Sequence, residues 1–232
     1  MILITGASRG IGRFLFETYS KSLNSNDVYG TFNNTVPSDM INARNMIRLD
    51  VTNISSINDM ISKLKSSNSL NEITLINSAG ISYNAFAHKA ELDKWKEVIE
   101  TNLVGTFNVI HSFLPIMREN NFGRIINFSS VVAQKSTPGV SAYATSKSAL
   151  WGLAKSISVE NASKGITINN INLGYSELGM IKQVPDKFKE QIIAQIPNGS
   201  LCSKEDIFNC VESIRKISYL NGTSIDLNGG IF

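Results

Sequence analysis

The chain has 232 residues, 42% hydrophobic and 18% charged, with a formal net charge of +3. Those figures suit one α/β domain with a sizeable core and exclude a disordered or fibrous chain. Scattered lysines argue against nucleic acid as a partner, and no apolar run approaches the length of a membrane span.

The first element is an apolar run, Met1-Ile-Leu-Ile-Thr5, which reads as a buried strand. A strand starting at Met1 leaves no room for a signal peptide, so a cytoplasmic protein is expected. Cys202 and Cys210 match no metal or redox spacing and read as reduced thiols, and no metal is expected. The strand runs into Gly6-Ala-Ser-Arg-Gly10-Ile-Gly12, followed by a helix over 13–21. Strand, glycine loop and helix together form the context for a dinucleotide phosphate, whose charge favours backbone N–H groups at a helix N-terminus.

Alternation continues down the chain. Asp27-Val-Tyr-Gly-Thr-Phe32 and Met46-Ile-Arg-Leu-Asp50 read as strands, 54–65 as a helix and Glu72-Ile-Thr-Leu-Ile-Asn77 as the fourth strand. A helical stretch over 92–118 contains Asn102, a poor mid-helix residue, so a break is expected there. Arg124-Ile-Ile-Asn-Phe128, a helix over 142–163 and a strand over 166–173 follow, then helices over 186–196 and 205–217. Thr223-Ser-Ile-Asp-Leu227 closes as the last strand. Such alternation predicts one domain over 1–232, a doubly wound parallel sheet with helices on both faces. Ligands of such a sheet sit beyond the carboxyl ends of its strands. Gly6–Gly12, Asp50-Val51, Asn77–Gly80, Ser129-Ser130 and Leu173-Gly174 all fall there.

Tyr143 and Lys147 are four residues apart in the long helix, which stacks a phenol beside an ammonium. An ordinary helix-surface pair has the same spacing. A close positive charge, however, favours the phenolate and makes a tyrosine usable as an acid or base.

In order and spacing, Thr5-Gly6-Ala-Ser-Arg-Gly10-Ile-Gly12, Asn77-Ser-Ala-Gly80, Asn102, Ser130 and Tyr143-x-x-x-Lys147 resemble the short-chain dehydrogenase/reductases. The resemblance runs to Asp226-Leu-Asn-Gly-Gly230. Ile99-Glu-Thr-Asn-Leu103, Gly123-Arg-Ile-Ile126 and Lys164-Gly-Ile-Thr-Ile-Asn169 are similar to the beta-ketoacyl-acyl-carrier-protein reductases in particular. The resemblance implies a Rossmann-type fold, with cofactor binding over about 1–130 and catalysis and a substrate loop over about 130–232.

It also implies reduction of a ketone to a secondary alcohol by hydride transfer from a nicotinamide. Tyr143 would give the proton, Lys147 would lower the tyrosine pKa and hold the ribose, and Ser130 would bind the carbonyl oxygen. Asn102 would bind a water leading from Lys147 to solvent, and Ser129, facing the opposite way on its strand, would be structural. Cofactor contacts would come from Gly6, Ser8, Arg9, Gly10, Ile11 and Gly12, and from Asp50 and Val51 at the adenine. Ser78, Ala79 and Gly80 would line the ribose, with Ser78 standing where the family usually has Asn. NADP is expected over NAD, although NAD stays possible. The stretch Gly30-Thr-Phe-Asn-Asn34 has no acid to repel a 2′-phosphate, Asn33 lies in it, and Arg9 could pair with that phosphate.

Two departures stand out. After Leu173-Gly174 the family's Pro before the glycine and its Thr four residues after are both missing, and Ser176 is the candidate replacement. The stretch 175–197 is expected to form a mobile lid over the site, with Phe188, Ile192 and Ile193 as its apolar face. An acidic carrier protein would need a basic patch, for which Arg118, Arg124 and Lys164 are candidates. The implied assembly is a homotetramer or homodimer, with Phe107, Leu114 and Leu150 as candidate contacts. Trp95 and Trp151 read as core or interface packing, and His88 and His111 as a loop and a helix-face residue. Three functions stay open: a 3-oxoacyl thioester reductase; the same chemistry on a sugar, polyketide or small ketone; and a non-catalytic NADP-binding protein.

Overall fold

β-Branched and apolar runs form seven strands in the computed structural model, which describes residues 1–22, 27–34, 36–67, 70–179, 181 and 185–231. They are β1 (Ile2–Thr5), β2 (Val28–Phe32), β3 (Met46–Arg48), β4 (Thr74–Asn77), β5 (Gly123–Ser130), β6 (Ile166–Leu173) and β7 (Ser224–Leu227). Their order is β3-β2-β1-β4-β5-β6-β7, and every neighbouring pair is parallel. The order reverses between β1 and β4, which opens the crevice where a doubly wound sheet takes its ligand.

Helices α1 (Gly10–Ser22), α2 (Ile54–Ser66), α3 (Leu92–Ile99), α4 (Gly105–Asn120), α5 (Ser141–Asn161), α6 (Asp186–Ala194) and α7 (Lys204–Lys216) connect the strands. Asn53 caps α2 by accepting from Ser56 N, and Ser203 caps α7 by accepting from Asp206 N. Leu15, Phe16 and Tyr19 of α1 pack with Ile207, Val211 and Ile214 of α7 on one face of the sheet. Ile57, Met60, Val109, Ile110, Phe113, Ala154 and Ile157 of α2, α4 and α5 bury the other. The expected break at Asn102 is a π-helical turn, Glu100–Val104, in which Gly105 N donates to Glu100 O. Helix α1 begins at Gly10, three residues before the expected start, so the last two loop glycines form its first turn.

The α4/α5 face changes character along the strands. Leu3, Leu75, Ile125 and Ile168 stand side by side in an apolar row. Two residues further on, Thr5, Asn77, Asn127, Asn170 and Ser224 make a polar row in register. Asn77 Nδ2 donates to Asn127 Oδ1 at 2.8 Å, Asn127 Nδ2 to Asn170 Oδ1 at 3.1 Å, and Asn170 Nδ2 to Ser224 Oγ at 3.0 Å. Asn127 and Asn170 are both 0% exposed, so each amide depends on its neighbours for partners. Asn77 Oδ1 is buried with no hydrogen-bond partner among the described residues.

Candidate active site

The glycine loop is built for close approach. Gly6 has φ +66°, and a Cβ there would lie 2.6 Å from Ala79 Cα. A Cβ on Gly12 would lie 2.5 Å from Gly6 O, so the loop folds onto the start of α1 only without side chains at both positions. Thr31 Oγ1 accepts from Gly6 N, and Thr5 Oγ1 accepts from Ser78 N and Ala79 N, tying the loops after β1 and β4 together. The result is a backbone cradle at a helix N-terminus, of the kind that holds a pyrophosphate. Arg9 and Asn33 are exposed on its rim, and the Asn33 carbonyl accepts from Arg48 Nε. Ser8 and Ile11 are half-buried, with Ile11 packed on the α1/α7 core.

Asp50 Oδ1 accepts from both the N–H and the hydroxyl of Thr52, which closes the turn after β3. Val51 is buried beneath α4, and its carbonyl accepts from Asn108 Nδ2. Gly174 N donates to Leu227 O, placing the turn after β6 against β7. Ser176, the candidate replacement for the missing Thr, is buried, and its hydroxyl donates to Leu178 O at 3.1 Å.

The chemical groups meet between β5 and α5. Strand β5 ends at Ser130, whose hydroxyl accepts from Val132 N and is close enough to the Tyr143 phenol to lower its pKa. Burial pushes the Tyr143 pKa up to about 12, outweighing the Ser130 contact, which lowers it. Lys147 is 7% exposed, and burial lowers its pKa to about 8. Its ammonium donates to Phe128 O at 2.7 Å and stands 5.5 Å from the Tyr143 ring centre. The expected lowering of the Tyr143 pKa by Lys147 is not seen: burial sets the shift, and the lowering contribution comes from Ser130.

Asn102 is a buried staple. Its Oδ1 accepts from Ile81 N, while its Nδ2 donates to Ile81 O and Ser146 Oγ. Both amide hydrogens are thus engaged by protein. A Cβ added to Gly80 would lie 3.2 Å from Asn102 Oδ1 and 3.8 Å from Lys147 Nζ, so the ribose-side loop, the π-turn and α5 converge at one point. Ser129, as expected, is structural: it faces α5 and donates to Lys147 O.

The profile of the short chain dehydrogenase family matches residues 1–188. The chain belongs to that family. An acetoacetyl-CoA reductase of Rhizobium meliloti is 42% identical over 159 residues, 67% of this chain and 66% of that protein, just under two thirds of its length. The 3-oxoacyl-[acyl-carrier-protein] reductase FabG of Escherichia coli is 33% identical over 237 residues, 99% of this chain and 96% of that protein. A crystal structure from Agrobacterium tumefaciens, described as a gluconate dehydrogenase, superposes with a TM-score of 0.88 at 25% identity, covering 100% of this chain and 95% of its own. The protein is accordingly an oxidoreductase with the Rossmann-type α/β fold.

Several expectations about this short-chain dehydrogenase need correcting. Arg124 is buried at the start of β5, the end of the sheet opposite the site, and its guanidinium donates to the carbonyls of Gly123, Gly165 and Arg215. Arg118 donates to Glu160 O and Asn161 Oδ1 at that same end. Two of the three candidate cations are thus bound to the protein itself, far from the mouth. Leu150 is core, at 1% exposure, whereas Phe107 is exposed and stacks near His111. Both tryptophans donate hydrogen bonds: Trp95 to Ser141 Oγ, and Trp151 to Ser129 Oγ and Asn172 Oδ1. Within the expected lid, residues 180 and 182–184 and the side chain of Phe188 lie outside the described residues.

Thr31 and Ser146 escaped the sequence reading, and Thr5, quoted there within the glycine motif, was given no role of its own. Thr5 carried a signal, as a hydroxyl at the end of an apolar strand directly before the first glycine. Among the described residues no helix is long and apolar enough to cross a membrane, and no group of three or more His, Cys, Asp or Glu could hold a metal ion.

Proposed function

We propose that this protein is an NADP(H)-dependent reductase that converts the ketone of a 3-oxoacyl thioester to a secondary alcohol, with Tyr143 as proton donor. The observation that carries the reading is the convergence of β5 and α5 at one point, where the Lys147 ammonium donates to Phe128 O and stands 5.5 Å from the Tyr143 ring beside Ser130 at the strand's end. The backbone cradle at Gly6–Gly12, whose fold leaves no room for a Cβ at Gly6 or Gly12, fits a dinucleotide. Gly10 and Gly12 at the start of α1 would hold its pyrophosphate, Asp50 its adenine, and Ala79 and Gly80 its ribose. Arg9, with no acid at residues 30–34, would accept a 2′-phosphate. The nicotinamide, when bound, supplies the hydride.

The chain's own groups do the rest. Tyr143, protonated at neutral pH, donates to the carbonyl oxygen, and Ser130 donates a second hydrogen bond that stabilises the developing alkoxide. Lys147 keeps a positive charge beside the phenol, which favours phenolate as the proton leaves. Asn102 holds the Gly80–Ile81 loop against α5, so these groups keep their spacing.

The thioester rests on the relatives, which reduce acetoacetyl-CoA or 3-oxoacyl-carrier substrates by name. With Arg118 and Arg124 engaged at the far end of the sheet, a free thioester fits better than one on an acidic carrier protein. Free Cys202 and Cys210, whose pKa values burial raises to about 11, suit the cytoplasm. The exposed Phe107 on α4 suits assembly into a homodimer or homotetramer. Oxidation of NADPH with acetoacetyl-CoA tests the whole. Turnover lost in Tyr143→Phe supports it, and full turnover in that variant removes Tyr143 from the chemistry.

A further inference from the structure

A second polar row crosses the ends of β5, β6 and β7, and no step proposed above uses it. Ser129, Asn172 and Asp226 stand opposite one another there. Asn172 Nδ2 donates to Asp226 Oδ1 at 2.7 Å. Gln134 Nε2 donates to the same carboxylate, 2.9 Å from Oδ1 and 3.1 Å from Oδ2. Trp151 Nε1 donates to Asn172 Oδ1 at 2.9 Å and to Ser129 Oγ at 3.2 Å, and Ser129 Oγ donates to Lys147 O at 2.9 Å.

The two branches that meet at Asp226 lead to the two halves of the candidate site. Gln134 directly follows the turn Val131–Ala133, whose first backbone bond is made to Ser130 Oγ. Trp151 lies one helical turn beyond Lys147 on α5. A carboxylate only accepts, so it can receive two amide donors at once, and charge shortens and strengthens both bonds. Asp226 is itself exposed, which makes its net worth to folding small. Its leverage is geometric.

We propose that Asp226 is a positioning residue. It draws the Ser130 turn and the Tyr143–Lys147 helix onto the same carboxylate and thereby sets the spacing between the Ser130 hydroxyl and the phenol. This rests on the proposed roles of Ser130, Tyr143 and Lys147.

The test is steady-state reduction of acetoacetyl-CoA by the full chain, with melting temperature and elution volume recorded for each variant. Asp226→Leu removes the acceptor from both branches, and kcat should fall about ten- to a hundredfold, the scale of an ångström-sized misplacement, with KM for NADPH unchanged. Asp226→Asn keeps an oxygen where both donors meet and should restore kcat to within about threefold. Gln134→Leu cuts one branch, and combining it with Asp226→Leu should add nothing to the loss. Unchanged kcat in Asp226→Leu, or losses that multiply in the double variant, would overturn the proposal. Should Asp226→Leu not fold, Gln134→Leu and Trp151→Phe carry the test, and full kcat in both overturns it as well. Full activity in Tyr143→Phe would sink the catalytic reading instead. An inactive Tyr143→Phe beside a fully active Asp226→Leu sinks the positioning role alone.

Discussion

Lys147 gives its ammonium to the carbonyl of Phe128 at 2.7 Å, although it sits four residues from Tyr143 on the same helix. Cation and phenol are thus held side by side by the strand, not by each other. With Tyr143 pushed up to about 12 and Lys147 down to about 8, the lysine is the group that titrates near neutrality. Reduction needs the phenol protonated and the ammonium charged. Its kcat/KM should therefore be level below about pH 7 and fall by about tenfold per unit well above the lysine pKa of about 8. Oxidation of the product alcohol should rise with pH instead. A pH profile in both directions checks this, and a reductive limb that stays level to pH ~10, the ordinary lysine range, would contradict it.

The same burial predicts a trade between activity and stability. Lys147 binds its proton more weakly in the fold than in the unfolded chain, whose value is 10.5. Neutral pH lies below both values, so the buried charge opposes folding there, and the penalty fades only as pH rises from about 8 towards 10.5. Lys147→Met should be inactive yet more stable at pH 7 by about 1–3 kcal/mol. Urea titrations at pH 7 and pH ~10 measure it, and the gain should shrink at the higher pH.

Asn102→Ala removes an acceptor and two donors at a position 1% exposed, strands Ile81 N and Ile81 O, and leaves Ser146 Oγ only its bond to Tyr143 O. A loss of about 2–4 kcal/mol is expected, with a raised KM for NADPH because the Gly80 loop is released. Denaturant midpoints and initial rates read the two effects separately.

Asn127→Ala should cost about 2–4 kcal/mol without touching the chemistry, since it leaves Asn77 Nδ2 and Asn170 Oδ1 facing a void. The folded fraction should keep kcat within about threefold of the parent, as Asn127 contacts none of the reacting groups. Replacing Asn127 and Asn170 together by Val should cost less than the sum of the single changes.

Asn33→Asp places a carboxylate just beyond β2, where an NAD site binds the ribose 2′-OH. The ratio of kcat/KM for NADPH over NADH should fall by about tenfold or more, a shift of roughly 1.4 kcal/mol. An unchanged ratio would move the 2′-phosphate away from this edge.

Most of the fold was legible because parallel strands and covering helices announce themselves by period. The glycine loop at 6–12 and the break at Asn102 were legible because Gly and Asn are poor residues for the elements around them. What stayed hidden depends on partners distant in sequence. Arg124 looks like a surface cation until three carbonyls from β5, the turn before β6 and α7 surround its guanidinium. Ser176 looks like a spare hydroxyl until its own turn takes it. Asn77, Asn127 and Asn170 lie in three strands far apart in sequence, and only register makes them a row.

The π-turn at Glu100–Val104 bears on how a protein of this shape could lose or gain its chemistry. One added residue per turn swings everything downstream by about 100° around the helix axis. Deleting a single residue there would turn α3 by that angle against α4, whose Val109, Ile110, Phe113 and Met117 are fixed in the core. Asn102 would then leave the Ile81 loop, and the loop would lose its hold on Ser146. The position of Asn102 against the Ile81 loop thus depends on a local irregularity of one extra residue in a single turn.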